Sequence, residues 1–311
     1  MKERSRLRAA VSASRVDLLL LLVALFWGAS YLAAKTLLPF SSFQALLGVR
    51  FSISAVIMLV IWAFRKKAFS KTDLQLGSLY GLMVVIIMLF ETNGIKITSA
   101  TNAGLIISLT IIFTPIIESA WRRSWLPKPF FYAATAAVIG VGLLVSGNGF
   151  KSPNLGDALM LIAAVLRAGA TASQGMLSKS KQGDSFNITT IQVAFIGLVY
   201  LLSDVNGAVV AVQSYGPREW LILGFLSVFC TVFGFVGLLW AIRRTSASRA
   251  SLLNSTEPIW AVIVAVLIGG ETLAWLSVIG AIVIIGSTYI GQGIELRYRA
   301  AEALSVSNRK S

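Results

Sequence analysis

The 311-residue chain is 56% hydrophobic and 13% charged, with 27 Lys and Arg against 13 Asp and Glu, no His and one Cys. Soluble domains carry about a quarter charged residues, so a chain this apolar cannot hide its surface from water as one soluble core and reads as a polytopic membrane protein. The missing His and the lone Cys230 exclude Ser-His-Asp triads, histidine zinc sites, disulfide frameworks and thiolate clusters, and no cofactor is expected.

At about 20 apolar residues per crossing, ten spans follow in chain order. They run roughly over 17–36, 43–64, 74–91, 98–119, 130–147, 156–178, 186–204, 219–241, 249–269 and 275–292. The opening, a basic stretch before LLLLLVALFW, resembles a secretory leader. Tyr31-Leu32-Ala33-Ala34 is a poor cleavage match, however, and removal would leave nine spans, so the segment is expected to stay as span 1.

The cations then sort by side. Of the 27, Lys35, Lys96, Lys151 and Arg218 fall at one face and Arg50 and Arg167 within spans; all others fall at the opposite face, with both termini. The positive-inside rule puts that face in the cytoplasm. The placement explains the net charge of +14 without a nucleic-acid partner, and leaves the basic N-terminal tail to meet anionic lipid.

The chain also repeats itself. Thr98-Ser99-Ala100 recurs as Thr245-Ser246-Ala247, and in both copies an Ala-x-Leu follows (Ala103 and Leu105; Ala250 and Leu252). Each copy holds five spans. An odd number turns the second copy upside down, which predicts an all-α protein of ten transmembrane helices in two inverted five-helix repeats. The expected units are a basic tail (1–16), a first repeat (17–149), a second repeat (155–292) and a C-terminal tail (293–311). Inverted repeats are a recurrent build of secondary transporters, with the site at mid-depth.

Trp27 and Arg167 each lie ten residues into spans 1 and 6, about 15 Å deep. ALFWGASYLAAK aligns there with AVLRAGATASQG. Trp27, Ser30 and Tyr31 share one helical face, as do Arg167, Thr171 and Gln174. An arginine at mid-membrane requires a partner, water or ligand. Glu257, with Asn254 one turn before it, offers one from span 9. With Trp260 these residues are the candidates for a polar cavity suited to a zwitterion; the competing expectation is that Arg167 and Glu257 only pair with each other.

Other polar positions carry different expectations. Arg50 in span 2 reads as a member of an internal ion pair, with ligand binding as the alternative. Glu91 reads as a solvated helix end or partner of Lys96, with proton coupling or gating as the alternative. Pro115 and Pro258 read as hinges or packing breaks inside the bundle, and Glu118 and Glu271 as interfacial charges. Trp62, Trp125, Trp220 and Trp275 suit an aromatic belt. Gly140-x-Gly142 lacks the rest of a dinucleotide fingerprint, and no phosphate-binding P-loop is present. Small-residue spacing from Ala136 to Gly140 permits close helix packing.

FWGASYLAAK, LLGVRF, KITSATNAGL and IGVGLL, followed by RRTSASRASLL, TEPIWAVIVAVLIGGETL and VIGAIVIIGS, resemble in this order the EamA family of drug/metabolite transporters. The resemblance covers nearly all of 17–292. It implies a bacterial inner-membrane permease, spans 1, 3, 4, 6, 8 and 9 around a substrate cavity, and spans 5 and 10 outside it; separately, the lack of His and of a Ser-Lys or paired-Asp constellation at mid-depth speaks against an intramembrane enzyme. The family's span-2 Arg and span-9 Glu-Pro fall on Arg50 and Glu257-Pro258. Arg167 departs from the aromatic usual there and favours a substrate with a negative group.

The function expected is secondary transport of a small polar or amphipathic metabolite, an amino acid or related compound, by export and alternating access. Coupling to a proton gradient, and a monomer or homodimer, fit this reading. The alternatives are a multidrug or cation antiporter, against which stands the lack of a carboxylate deep in span 1, and a lipid-linked-substrate flippase.

Overall fold

The computed structural model describes residues 2–65, 67–123, 125–145, 154–180, 183–244, 253–254, 256–272 and 274–308. The second Thr-Ser-Ala turn at 245–247 and the linker between the repeats at 146–153 lie outside the described residues. Among those described, all regular structure is helical. The first repeat comprises α1 (Lys2–Leu37), α2 (Phe43–Arg65), α3 (Lys71–Ile97), α4 (Ala100–Ile107), α5 (Thr110–Arg122) and α6 (Lys128–Val145). The second comprises α7 (Leu155–Ser180), α8 (Ser185–Ser203), α9 (Val205–Ser214), α10 (Pro217–Phe225), α11 (Gly234–Arg244), α12 (Glu257–Leu267) and α13 (Trp275–Asn308). Seven stretches among the described residues are long and apolar enough to cross a bilayer; α6, α12 and α13 carry the other three spans.

The helix ends follow local chemistry. Ser70 and Asp73 form a reciprocal capping box that starts α3. Ser99 accepts from the Asn102 amide to start α4, so the Thr-Ser-Ala turn is a helix-start signal. Span 4 is broken at Ser108-Leu109, where the Leu109 amide bonds back to the Ile106 carbonyl. Pro115 lies downstream, inside α5, and the ring of a proline crowds the carbonyl four residues back, here just past that break. Pro258, expected inside a span, instead occupies the first turn of α12, where its missing N–H is harmless.

Two features differ from the linear reading. α9, within a stretch read as a connection, is a ten-residue helix capped by Asp204, too short to cross and packed on α2 and α8. Span 8 is joined through a π-helical segment, Leu226–Phe233, between α10 and α11.

The packing maps onto itself when the repeats are exchanged. α1 packs on α12 as α7 packs on α4 and α5, and α3 packs on α7 as α1 packs on α10 and α11. α2 pairs with α8, and α6 with α13. The α2–α8 crossing uses one glycine from each side: a Cβ at Gly48 would lie 2.8 Å from the Leu201 nitrogen, and one at Gly197 2.9 Å from the Ser52 nitrogen. α6 and α13 meet at Gly140, against Gly280 and Ile284, so this small-residue stripe is used within the chain.

The sense of the repeats is visible at the helix ends. Lys35, at the end of α1, bonds the Thr98 carbonyl at 2.8 Å, and Thr98 donates its hydroxyl to Asp157, at the start of α7, at 2.6 Å. Span 1 thus ends where its counterpart, span 6, begins. At the opposite end Arg65, closing α2, faces Asp184, which caps α8. The two repeats are inverted.

Candidate functional site

The central feature is a cavity of about 180 Å³ enclosed by both repeats. Its wall takes Trp27, Ser30 and Tyr31 from α1, Glu91 from α3, Arg167, Thr171 and Gln174 from α7, Asn254, and Glu257 from α12. Among the described residues, α6 and α13 contribute nothing to it. Trp260 is the exception among the predicted cavity residues. It stands on α12 off the lining, its Cβ against Gly28, and its buried indole N–H has no partner among the described residues.

At mid-depth four residues from three helices lock together. Arg167 Nη2 lies 3.2 Å from Glu257 Oε2, and Nη1 donates to Glu257 Oε1 at 3.3 Å. Tyr31 donates its hydroxyl to the same Oε1 at 2.5 Å and lies 3.4 Å from Arg167 Nη1. The guanidinium carbon sits 4.9 Å from the centroid of the Trp27 ring, a cation–π arrangement. The Trp27 indole is itself fixed by donating to the Cys230 carbonyl at 2.9 Å, within the π-helical segment. Arg167 and Glu257 therefore do pair, and they do so on the cavity wall. Planar guanidinium against carboxylate is the strongest ion-pair geometry available, and burial makes removal of one partner expensive.

The hydroxyls of Ser30 and Thr171 are turned to their own helices, donating to the Trp27 and Arg167 carbonyls. Asn254 Oδ1 and Glu91 Oε2 are buried with no hydrogen-bond partner among the described residues.

Two polar positions differ from the linear reading. Arg50, expected in an ion pair, donates Nε–H to Thr231 Oγ1 at 3.0 Å and makes no ion pair among the described residues. Glu91 is no solvated end: α3 runs on to Ile97, and five residues of helix rotate Lys96 to the exposed side while Glu91 faces the cavity. Sequence reasoning also missed Tyr80, Thr110, Thr114 and Gln192 on the wall. A polar residue amid an apolar span was the available signal for Gln192; nothing local marks the others.

The cavity is asymmetric along the bundle. Its wall runs from Tyr31 back to Trp27, from Glu91 back to Tyr80, and from Arg167 on to Gln174, in each case away from Lys35 and Asp157. The Lys35 end is closed by a polar layer. Besides the bonds of Lys35 and Thr98, Asn102 donates to Asp157, and Glu271 accepts from the Ala100 amide at 3.0 Å while lying 3.8 Å from Lys35. Glu271, expected as a plain interfacial charge, thus caps the start of α4.

Two inverted halves around a charged pocket at mid-depth make the build of a membrane transporter. The EamA-like transporter family matches residues 14–146 and, a second time, 154–290. The chain belongs to that family. Among its relatives, "Uncharacterized transporter YyaM" of Bacillus subtilis (strain 168) is 25% identical over 293 residues, covering 90% of this chain and 94% of the relative. An "Uncharacterized transporter" of Archaeoglobus fulgidus is 27% identical over 278 residues, covering 86% and 83%. A solved crystal structure with 16% identity superposes at a TM-score of 0.61, over 92% of this chain and 99% of the other, and shares the fold.

Proposed function

We propose that the protein is a secondary transporter that exports a small polar or amphipathic metabolite, an amino acid or a related compound, across a bacterial inner membrane by alternating access. Both termini lie in the cytoplasm, and the proton gradient drives the cycle. The observation that carries this reading is the cavity itself. It is charged, lies between inverted halves, is closed at the Lys35 end by the Thr98–Asp157 layer, and extends toward the end where α1 begins. With the N-terminus in the cytoplasm, this is the inward-facing form.

The clasp of Tyr31, Arg167 and Glu257 joins α1 of one repeat to α7 and α12 of the other. Exchange of access requires these helices to shift against each other, so the clasp sits where the moving halves meet.

The test is exchange of labelled metabolites, with amino acids first, by the purified protein in proteoliposomes with and without an imposed pH gradient. Saturable exchange is expected for at least one compound, abolished in Arg167→Gln and stimulated by the gradient. Vesicles containing wild-type protein that are no faster than empty vesicles for every compound would sink the reading.

A further inference from the structure

Among the described residues the cavity wall carries four charged side chains, and only two of them satisfy each other. Arg167 and Glu257 are matched nitrogen to oxygen. Arg50 and Glu91 are not. Each is 7% exposed. Arg50 spends only its Nε–H, on Thr231; its two terminal nitrogens make no hydrogen bond among the described residues, and its guanidinium carbon lies 5.2 Å from the Phe51 ring centroid. Glu91 Oε2 has no hydrogen-bond partner among the described residues, and no ion pair links Glu91 to Arg50.

A buried charge without a partner is strongly unfavourable. Two of opposite sign on one cavity wall, kept apart, complement a ligand that brings both signs. The same wall also carries apolar side chains, among them Val84, Ile87, Met88 and Phe235. The charged and titratable groups around Glu91 are Arg50 on α2, Arg167 on α7, Glu257 on α12 and Tyr31 on α1, with Tyr80 about three turns back along α3 on the same wall.

We infer that Arg50 and Glu91 read the two charged ends of a small zwitterion with an apolar side chain, Arg50 taking the carboxylate and Glu91 the ammonium, while Arg167 and Glu257 stay clasped. This rests on the transporter reading and gives it a substrate class. It also moves recognition away from the mid-depth pair that the linear sequence singles out.

The test is equilibrium binding to the purified full-length protein with four tritiated amino acids (leucine, methionine, phenylalanine and threonine), each competed by its decarboxylated amine and its deaminated acid. Wild-type protein is expected to bind at least one of the apolar three and to prefer it over both analogues by about ten- to a hundredfold, the range for a charge-assisted hydrogen bond. Glu91→Gln is expected to lose the preference over the deaminated acid and keep the preference over the amine. Arg50→Gln is expected to do the reverse, and Arg50→Lys to retain the carboxylate preference in part. Arg167→Gln is expected to keep both preferences even where its affinity or transport falls. Should Arg50→Gln aggregate, Arg50→Lys and Glu91→Asp supply the comparison.

The proposal is overturned if both discriminations survive in the Arg50 and Glu91 variants, or if Arg167→Gln alone removes them. It is overturned too if Glu91→Gln keeps the preference over the deaminated acid and loses only the response to a pH gradient, which would make Glu91 a proton site. A wild-type protein that exchanges other metabolites in vesicles yet binds no zwitterion would sink this proposal and leave the transporter reading intact.

Discussion

Tyr31 and Glu257, 226 positions apart and in opposite repeats, share a hydrogen bond of 2.5 Å at the centre of the bundle. The phenol donates to a carboxylate oxygen that Arg167 also engages. The side chains of Arg167 and Glu257 are only 21% and 8% exposed, so the pair is poorly screened by solvent. Arg167→Gln or Glu257→Gln alone leaves one buried charge stranded, at about 3–5 kcal/mol. The double variant removes both charges. Melting temperatures of the purified proteins should therefore fall further for either single variant than for the double, and simple addition of the two losses would refute the clasp.

The Lys35 end of the cavity is held by Thr98 and Asn102 on Asp157, a buried carboxylate. Asp157→Asn or Thr98→Val weakens this layer and should raise the population opened on that side. With Ser108→Cys in a Cys230→Ser background, labelling by an impermeant maleimide from the Lys35 side should rise several-fold in either variant. Unchanged labelling would mean that the layer caps helices without gating the cavity.

At the opposite end Asp184 is partly buried, which opposes its ionisation. Hydrogen bonds from Lys67 and from the Asn187 amide, with the charges of Arg65 and Lys67, outweigh that burial and hold its carboxyl below the usual range. A depressed carboxyl stabilises the fold above its unfolded pKa of about 3.9, and the contribution is lost as pH falls through the folded value. Wild-type melting temperature should drop on acidification below about pH 4, and Asp184→Asn should flatten that part of the curve. Identical curves would remove Asp184 from the account.

Two glycine substitutions should differ in sign. A Cβ at Gly48 would strike the backbone of Leu201, which cannot swing aside, whereas a Cβ at Gly224 meets nothing within 4 Å. Gly48→Ala should lower stability by about 1–3 kcal/mol through overpacking at the α2–α8 crossing. Gly224→Ala, inside α10, should leave it unchanged or raise it by up to about 1 kcal/mol, the helix-propensity gain. Equal effects in thermal unfolding would contradict the crossing.

Spans, their inversion and the mid-depth position of Trp27 and Arg167 were legible from the linear chain, because bilayer thickness, helical rise and cation sidedness act on local sequence. A repeat of five spans leaves no orientation open. The linear chain also named Glu257 as a partner for Arg167, since a mid-membrane guanidinium requires a partner, water or ligand and span 9 carries a carboxylate at nearly matching depth. Tertiary structure alone decided the rest. Glu91 and Lys96 stand five residues apart, and only helix rotation and packing send one to the cavity and the other to the exterior. Thr231 reaches Arg50, and the Cys230 carbonyl reaches Trp27, through a π-helical segment, LSVFCTVF, that holds no proline or glycine of its own. Depth along a helix is a local quantity, which a sequence fixes by counting. Azimuth around it depends on which neighbours the helix packs against, and those neighbours come from the other half of the chain.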